Sequence, residues 1–125
     1  MPLTTFGPAA ARTELDRLVA LFGAEHVAVE LTDHGNPTDP ERNDALADIA
    51  ASAGLPAVAT NNVHYHHPRR NQLAAVVAAV RARSSLDDLD PYPPATGAAH
   101  LRSGTEMAAR FGDYPTAVPY AAKLG

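Results

Sequence analysis

The sequence predicts an α/β fold in which parallel strands alternate with covering helices. Three observations carry that prediction. Apolar residues recur at helical spacing in three separate segments. Two short runs, "HVAVELT" and "LPAVAT", are apolar and bounded by turn residues. The segments follow one another as helix, strand, helix, strand, helix, with short helices after them. Near-continuous apolar strands separated by helices imply a parallel sheet with covered faces. Two strands alone make a poor sheet. Either further strands pair with them, or the chain is a piece of a larger α/β domain.

The first helix is read in "PAAARTELDRLVALFG", where Leu15, Leu18, Val19 and Phe22 fall on one face. Pro8 suits its first turn and Gly23 its end. "HVAVELT" is rich in β-branched residues and reads as a strand. "DHGNPTDP" is a loop by composition. Asp39 is expected to cap the next helix, with Pro40 as its first residue. That helix places Leu46, Ile49, Ala50 and Ala53 on one face and stops at Gly54. "LPAVAT" is the second strand, and Pro68 begins a third helix whose expected core face is Leu73, Val76, Val77 and Val80. "RARSSLDDLDPYPPATGAA" is the least ordered stretch by composition, and "HLRS" reads as a short extended piece. Ser103 and Glu106 form a capping box before a short helix, "EMAARF". A last helix is read in "YPTAVPYAAKLG", where an interior Pro119 would cost about 3 kcal/mol unless the helix is kinked or starts later.

The chain has 125 residues, which suits one domain or part of one. Apolar residues make up 46%, much of it alanine, with three Phe, four Tyr and no Trp. The formal charge of −4 argues against a generally basic nucleic-acid binder, although a local basic patch is compatible with it. No cysteine means no disulfide framework and no thiolate metal site, which fits a cytoplasmic protein. The first residues show no basic region followed by an apolar run, so no signal peptide is expected. No apolar run approaches the roughly 20 residues a membrane span requires.

In parallel α/β folds functional groups collect at the C-terminal ends of strands. The first strand ends in Glu30, Asp33 and His34, and the second in Asn61, Asn62, His64, His66 and His67. Imidazoles with a carboxylate or amide oxygen can hold Zn, Mn or Fe, which activate water and clamp a phosphoryl oxygen. In an extended segment, Asn62 and His64 would share a face. The plainer reading is a solvated polar loop. On that reading His66 and His67 belong to the start of the following helix, Asp33 makes an Asx turn with Gly35, and Tyr65 serves packing. Arg69, Arg70, Arg81 and Arg83 give a basic helix, read first as a solvated face and second as a phosphate contact.

The ordered motifs "VAVELTDHGNP", "RNDALADIAASAGLPAVATNNVHY" and "AHLRSGTEMAARFGDYPTAVPYAAKLG" resemble the later part of the PHP domain of bacterial C-family DNA polymerases. The form "ATNNVHY" and the short "RARSSLDDLD" connection look most like the error-prone, translesion branch and its actinobacterial members. The resemblance runs from about Pro8 to the end of the chain. It implies part of a distorted (β/α)7 barrel, with residues 1–83 as the C-terminal part of the PHP domain and 84–125 as the connection toward the polymerase core. It also implies a fragment of a polymerase for DNA repair and replication, whose catalytic aspartates lie beyond Gly125, so that no catalytic residue falls within this chain.

The family's last metal-ligand motif, Asp-x-His, is matched by Asn62-Val63-His64. His64 therefore stands as a metal ligand, and Asn62 as a neutral amide where the family has a carboxylate. The implied cofactors are Zn or Mn in the PHP site and Mg in the polymerase core. The implied partners are DNA and other replication or repair proteins, with no membrane. The alternatives are a vestigial scaffold without metal, or an independent metal-dependent phosphoesterase. Taken alone the chain is expected to be inactive, and to self-associate through unpaired strand edges.

Overall fold

The structure, a computed structural model, describes residues 7–83 and 97–125. Its elements are α1 (Pro8–Phe22), β1 (Val29–Thr32), α2 (Asp39–Ala53), β2 (Ala57–Thr60), α3 (Asn71–Ala82), α4 (Gly104–Arg110) and α5 (Ala117–Leu124). Single 3₁₀ turns at Ala24–His26 and Pro68–Arg70 precede β1 and α3. The described chain falls into two compact units. One comprises the described residues up to Thr60 together with Gly104–Gly125, and the other the described residues of Asn61–Ser103.

In the first unit β1 and β2 run parallel, with Val29 opposite Ala57 and Thr32 opposite Thr60. A parallel pair needs a crossover, and α2 supplies it. The expected α/β alternation is therefore present, as a two-stranded parallel sheet with helices. Val29 and Leu31 are buried while Glu30 between them is exposed, so β1 buries one face. Val29 packs with Leu15, Val27, Ala50 and Leu55, and Leu46, Ile49 and Ala53 close on this cluster from α2. Leu31 and Ala59 pack with Phe111 and Ala117 from the C-terminal segment. α5 thus covers β2, and Gly104–Gly125 is part of the same core as the sheet.

The boundaries follow the punctuation of the sequence. Gly23 and Gly54 end α1 and α2 at positive φ, a region open to glycine. α5 starts at Ala117, so Pro119 lies in its first turn, where a missing N–H leaves no helical bond unmade. The start of α2 differs from expectation. Thr38 occupies the cap position and Asp39 is the first helical residue. The Asp39 carboxylate turns back into the preceding loop instead, where Oδ2 accepts from the backbone N–H groups of His34 and Asn36 at 2.9 and 3.0 Å.

In the second unit α3 corrects the sequence reading. Leu73, Val76, Val77 and Val80, the expected core face, are exposed. The inward side is the alanine stripe, with Ala79 buried and Ala74, Ala75, Ala78 and Ala82 half-buried. Both stripes have helical period, so periodicity alone could not choose between them. On α1 the division is similar: Leu15 is buried, while Leu18 and Phe22 are exposed. The expected extended piece at "HLRS" is present as a parallel bridge between Tyr65 and His100. Residues 84–96, which hold most of the stretch read as least ordered, lie outside the described residues.

Candidate functional site

At the end of β1 the polar side chains hold one another. Asp33 Oδ1 accepts from the Gly35 N–H at 2.8 Å, the Asx turn expected from the sequence. The same oxygen pairs with Arg110 of α4 at 3.3 Å. Arg42 and Asn43 both reach the Thr32 carbonyl, at 2.6 and 3.0 Å, and satisfy the last carbonyl of the strand. Asp39 is only 1% exposed, and its Oδ1 pairs with Arg42 at 3.0 Å. Burial pushes the Asp39 carboxyl up. The backbone hydrogen bonds from His34 and Asn36 and the charge of Arg42 outweigh it, and hold the group below the usual carboxylate range. Glu30 accepts a hydrogen bond from the Thr60 hydroxyl. Tyr114 donates to Asp44, and burial together with that carboxylate raises the phenol well above its ordinary value. Glu30, Asp33 and Asp39 thus serve the architecture of the strand ends.

After β2 the chain enters the second unit at Asn61. This buried amide donates to the carbonyls of Ala98 and His100 and ties the two segments of the unit together. The backbone N–H groups of His64 and Tyr65 donate to the Ala99 carbonyl at 2.9 and 3.3 Å, and Leu101 returns a bond to Tyr65. Tyr65 is buried and serves packing, as expected. Asn62 has φ +42, in the left-handed region where Asn is among the few non-glycine residues at ease. The segment is therefore not extended at Asn62, and the spacing argument that aligned it with His64 does not hold in this geometry. His64, His66 and His67 are exposed. His67 Nδ1 accepts from the Arg69 N–H at 3.3 Å and caps the turn before α3, which is the structural role read for it. Arg69, Arg70, Arg81 and Arg83 are exposed, in keeping with a solvated basic face.

One imidazole was missed. His100 Nδ1 lies 2.8 Å from the Gly97 carbonyl, and since a carbonyl only accepts, Nδ1 is the donor in this bond. Its backbone partnership with Tyr65 joins residues far apart in sequence, and no local spacing signals it.

Among the described residues, no three His, Asp or Glu side chains gather as a metal ion requires. His64 and Asn62 would offer one imidazole and one amide, fewer than the three or four protein ligands of a zinc site. The described residues therefore do not by themselves fit a metal. Among them, too, no helix is long and apolar enough to cross a membrane.

No family model matches the chain. It is similar, however, to curated proteins named error-prone DNA polymerase. The identity is 49% over 123 residues, 98% of this chain, with that of Mycobacterium tuberculosis strain H37Rv. It is 46% over 114 residues, 91% of this chain, with that of Nocardia farcinica, and 37% over 118 residues with that of Rhodopseudomonas palustris. The similarity covers nearly all of this chain, yet the chain spans only 11%, 10% and 10% of the lengths of these three relatives.

Proposed function

We propose that the chain is a segment of an error-prone C-family DNA polymerase that takes part in translesion repair and replication. The observation that carries this is the 49% identity to an error-prone DNA polymerase across 98% of the chain. In this reading residues 1–83 are the C-terminal part of a PHP domain and 84–125 the connection toward the polymerase core. The parallel β1–α2–β2 unit supports a piece of a (β/α)7 barrel, since such barrels are built from this repeat. DNA and other replication or repair proteins are then the partners of the longer enzyme, in the cytoplasm. Mg serves its polymerase core, and Zn or Mn its PHP site.

His64 is the one metal ligand proposed here, with Asn62 as a weak ligand or a neighbour of the site. The remaining ligands would come from outside this chain. An amide oxygen carries no charge and binds a divalent cation less well than a carboxylate.

A second reading, a PHP scaffold that binds no metal, is favoured by Asn62 itself. Its positive φ gives the residue a backbone reason to be Asn that involves no metal. Metal analysis of the longer polymerase separates the readings. Stoichiometric Zn or Mn, lost on His64→Ala, supports the ligand role, whereas a metal-free wild type supports the scaffold. The 125-residue chain alone is expected to show no DNA synthesis and no exonuclease turnover. Robust metal-dependent exonuclease activity abolished by His64→Ala would overturn the segment reading in favour of an independent phosphoesterase.

A further inference from the structure

Charge is segregated along the chain. Residues 1–60 with 104–125 carry eleven Asp or Glu against five Lys or Arg. The described residues of the second unit, 61–83 and 97–103, carry five Arg and no Asp or Glu. Asp87, Asp88 and Asp90 lie outside the described residues.

The arginines differ accordingly. In the first unit Arg12, Arg17, Arg42 and Arg110 each pair with a carboxylate, of Asp16, Glu14, Asp39 and Asp33 in turn. Arg69, Arg70, Arg81 and Arg83 are exposed, and none has a carboxylate partner among the described residues. They bracket α3, two at each end. Arg70 holds the cap position of that helix and Arg81 lies in its last turn. Their separation of eleven positions is close to three turns, so both sit on one line along the helix. At about 1.5 Å per residue they are roughly 16 Å apart.

Unneutralised guanidiniums spaced along a rigid helix suit a polyanion. Guanidinium meets phosphate with two parallel hydrogen bonds, a geometry an ammonium lacks. Duplex DNA presents one charge per roughly 1.7 Å of its axis, so on the order of ten phosphates fall within the span from Arg70 to Arg81. An extended acidic peptide places residues about 3.3 Å apart, and even an unbroken acidic run offers half that density. We infer that Arg69, Arg70, Arg81 and Arg83 form a contact for the phosphate backbone of DNA, independent of base sequence. The choice of DNA over other polyanions rests on the polymerase reading above.

Fluorescence anisotropy of a labelled duplex of about 20 base pairs, titrated with the purified chain at several salt concentrations, tests it. At low salt the Kd is expected at about 10⁻⁶ to 10⁻⁴ M, and log affinity should fall against log salt with a slope of about −3 to −4, as four phosphate contacts require. Arg70→Gln with Arg81→Gln should weaken binding about tenfold or more and reduce that slope by about 2. Arg17→Gln with Lys123→Gln removes the same charge from the first unit and should leave affinity within about threefold of wild type. All four side chains are exposed, so helical circular dichroism should be unchanged. If the first pair does disturb folding, Arg69→Gln with Arg83→Gln replaces it. No binding at low salt, equal losses from the two pairs, or poly-glutamate bound as tightly as the duplex overturns the inference. The polymerase reading is judged separately, by the reading frame that flanks this chain: an open frame encoding a polymerase core leaves it standing even where DNA is not bound.

Discussion

Asp39 and Arg42, three positions apart at the start of α2, form an ion pair of 3.0 Å in which the carboxylate is buried and the guanidinium about one-quarter exposed. The same carboxylate holds the backbone of His34 and Asn36, and the same guanidinium holds the carbonyl that ends β1. One pair therefore fixes both the strand end and the loop that follows it. Removing the carboxylate leaves two loop N–H groups without their acceptor and a cation without its partner. Asp39→Ala is expected to cost about 3 kcal/mol, read from urea denaturation of the purified chain. A loss below about 1 kcal/mol would mean that the loop finds other partners.

The pH dependence follows from the same residue. Asp39 has a lowered pKa in the fold, against an ordinary value of 3.8. The unfolded chain therefore binds a proton at this site more readily than the folded chain. The contribution is fully present above the ordinary value and is lost as pH falls through the folded one. Wild-type stability is expected to drop on acidification below about pH 4, and Asp39→Ala should flatten that drop. Urea midpoints compared at neutral and acidic pH for both chains give the answer. Equal acid sensitivity would place the titration elsewhere.

Phe111 tests whether the C-terminal helices belong to the core. It is buried beside Leu31, Ala59 and Ala117, far from them in sequence. Phe111→Ala should cost about 4 kcal/mol through lost burial and a residual cavity. If Gly104–Gly125 were a loose appendage, the cost would be near zero and hydrogen exchange in β1 and β2 would not change.

Asn62 separates backbone from chemistry. At φ +42 a β-branched residue is strained, so Asn62→Val should lose about 1 to 2 kcal/mol, while Asn62→Gly should stay close to wild type. Thermal melts of the three chains check this ordering. Equal stability of the Val and Gly variants would remove the conformational reason for an Asn at this position.

The legible parts of the fold were those with a local cause. Gly23, Gly54 and the Pro-led helix starts mark their boundaries through φ restrictions that act within a turn. The two strands declared themselves as short apolar runs bounded by turn residues, the first of them rich in β-branched residues. What stayed hidden was which stripe of a helix faces inward. On α3 the alanines pack and the larger aliphatics do not, and that choice depends on neighbours distant in sequence. The role of Asp39 was misjudged for a related reason: a carboxylate at a helix start can cap forward or reach back, and the loop from His34 to Asn36 decides between them. Of the candidate ligands, Asn62 and His64 were found by their motif, while the left-handed turn between strand and histidine was not. The extended piece that begins at His100 was legible, but its partner was not, because only the fold brings His100 beside Tyr65.

The most direct test of the central proposal is to sequence the genomic DNA on both sides of the segment that encodes this chain. The expected result is one continuous reading frame. Upstream it would encode a His-x-His motif and further acidic and His or Cys ligands; downstream it would encode a polymerase core with its catalytic aspartates. A frame closed on both sides at the ends of the 125 residues, with no polymerase sequence beside it, would contradict the proposal.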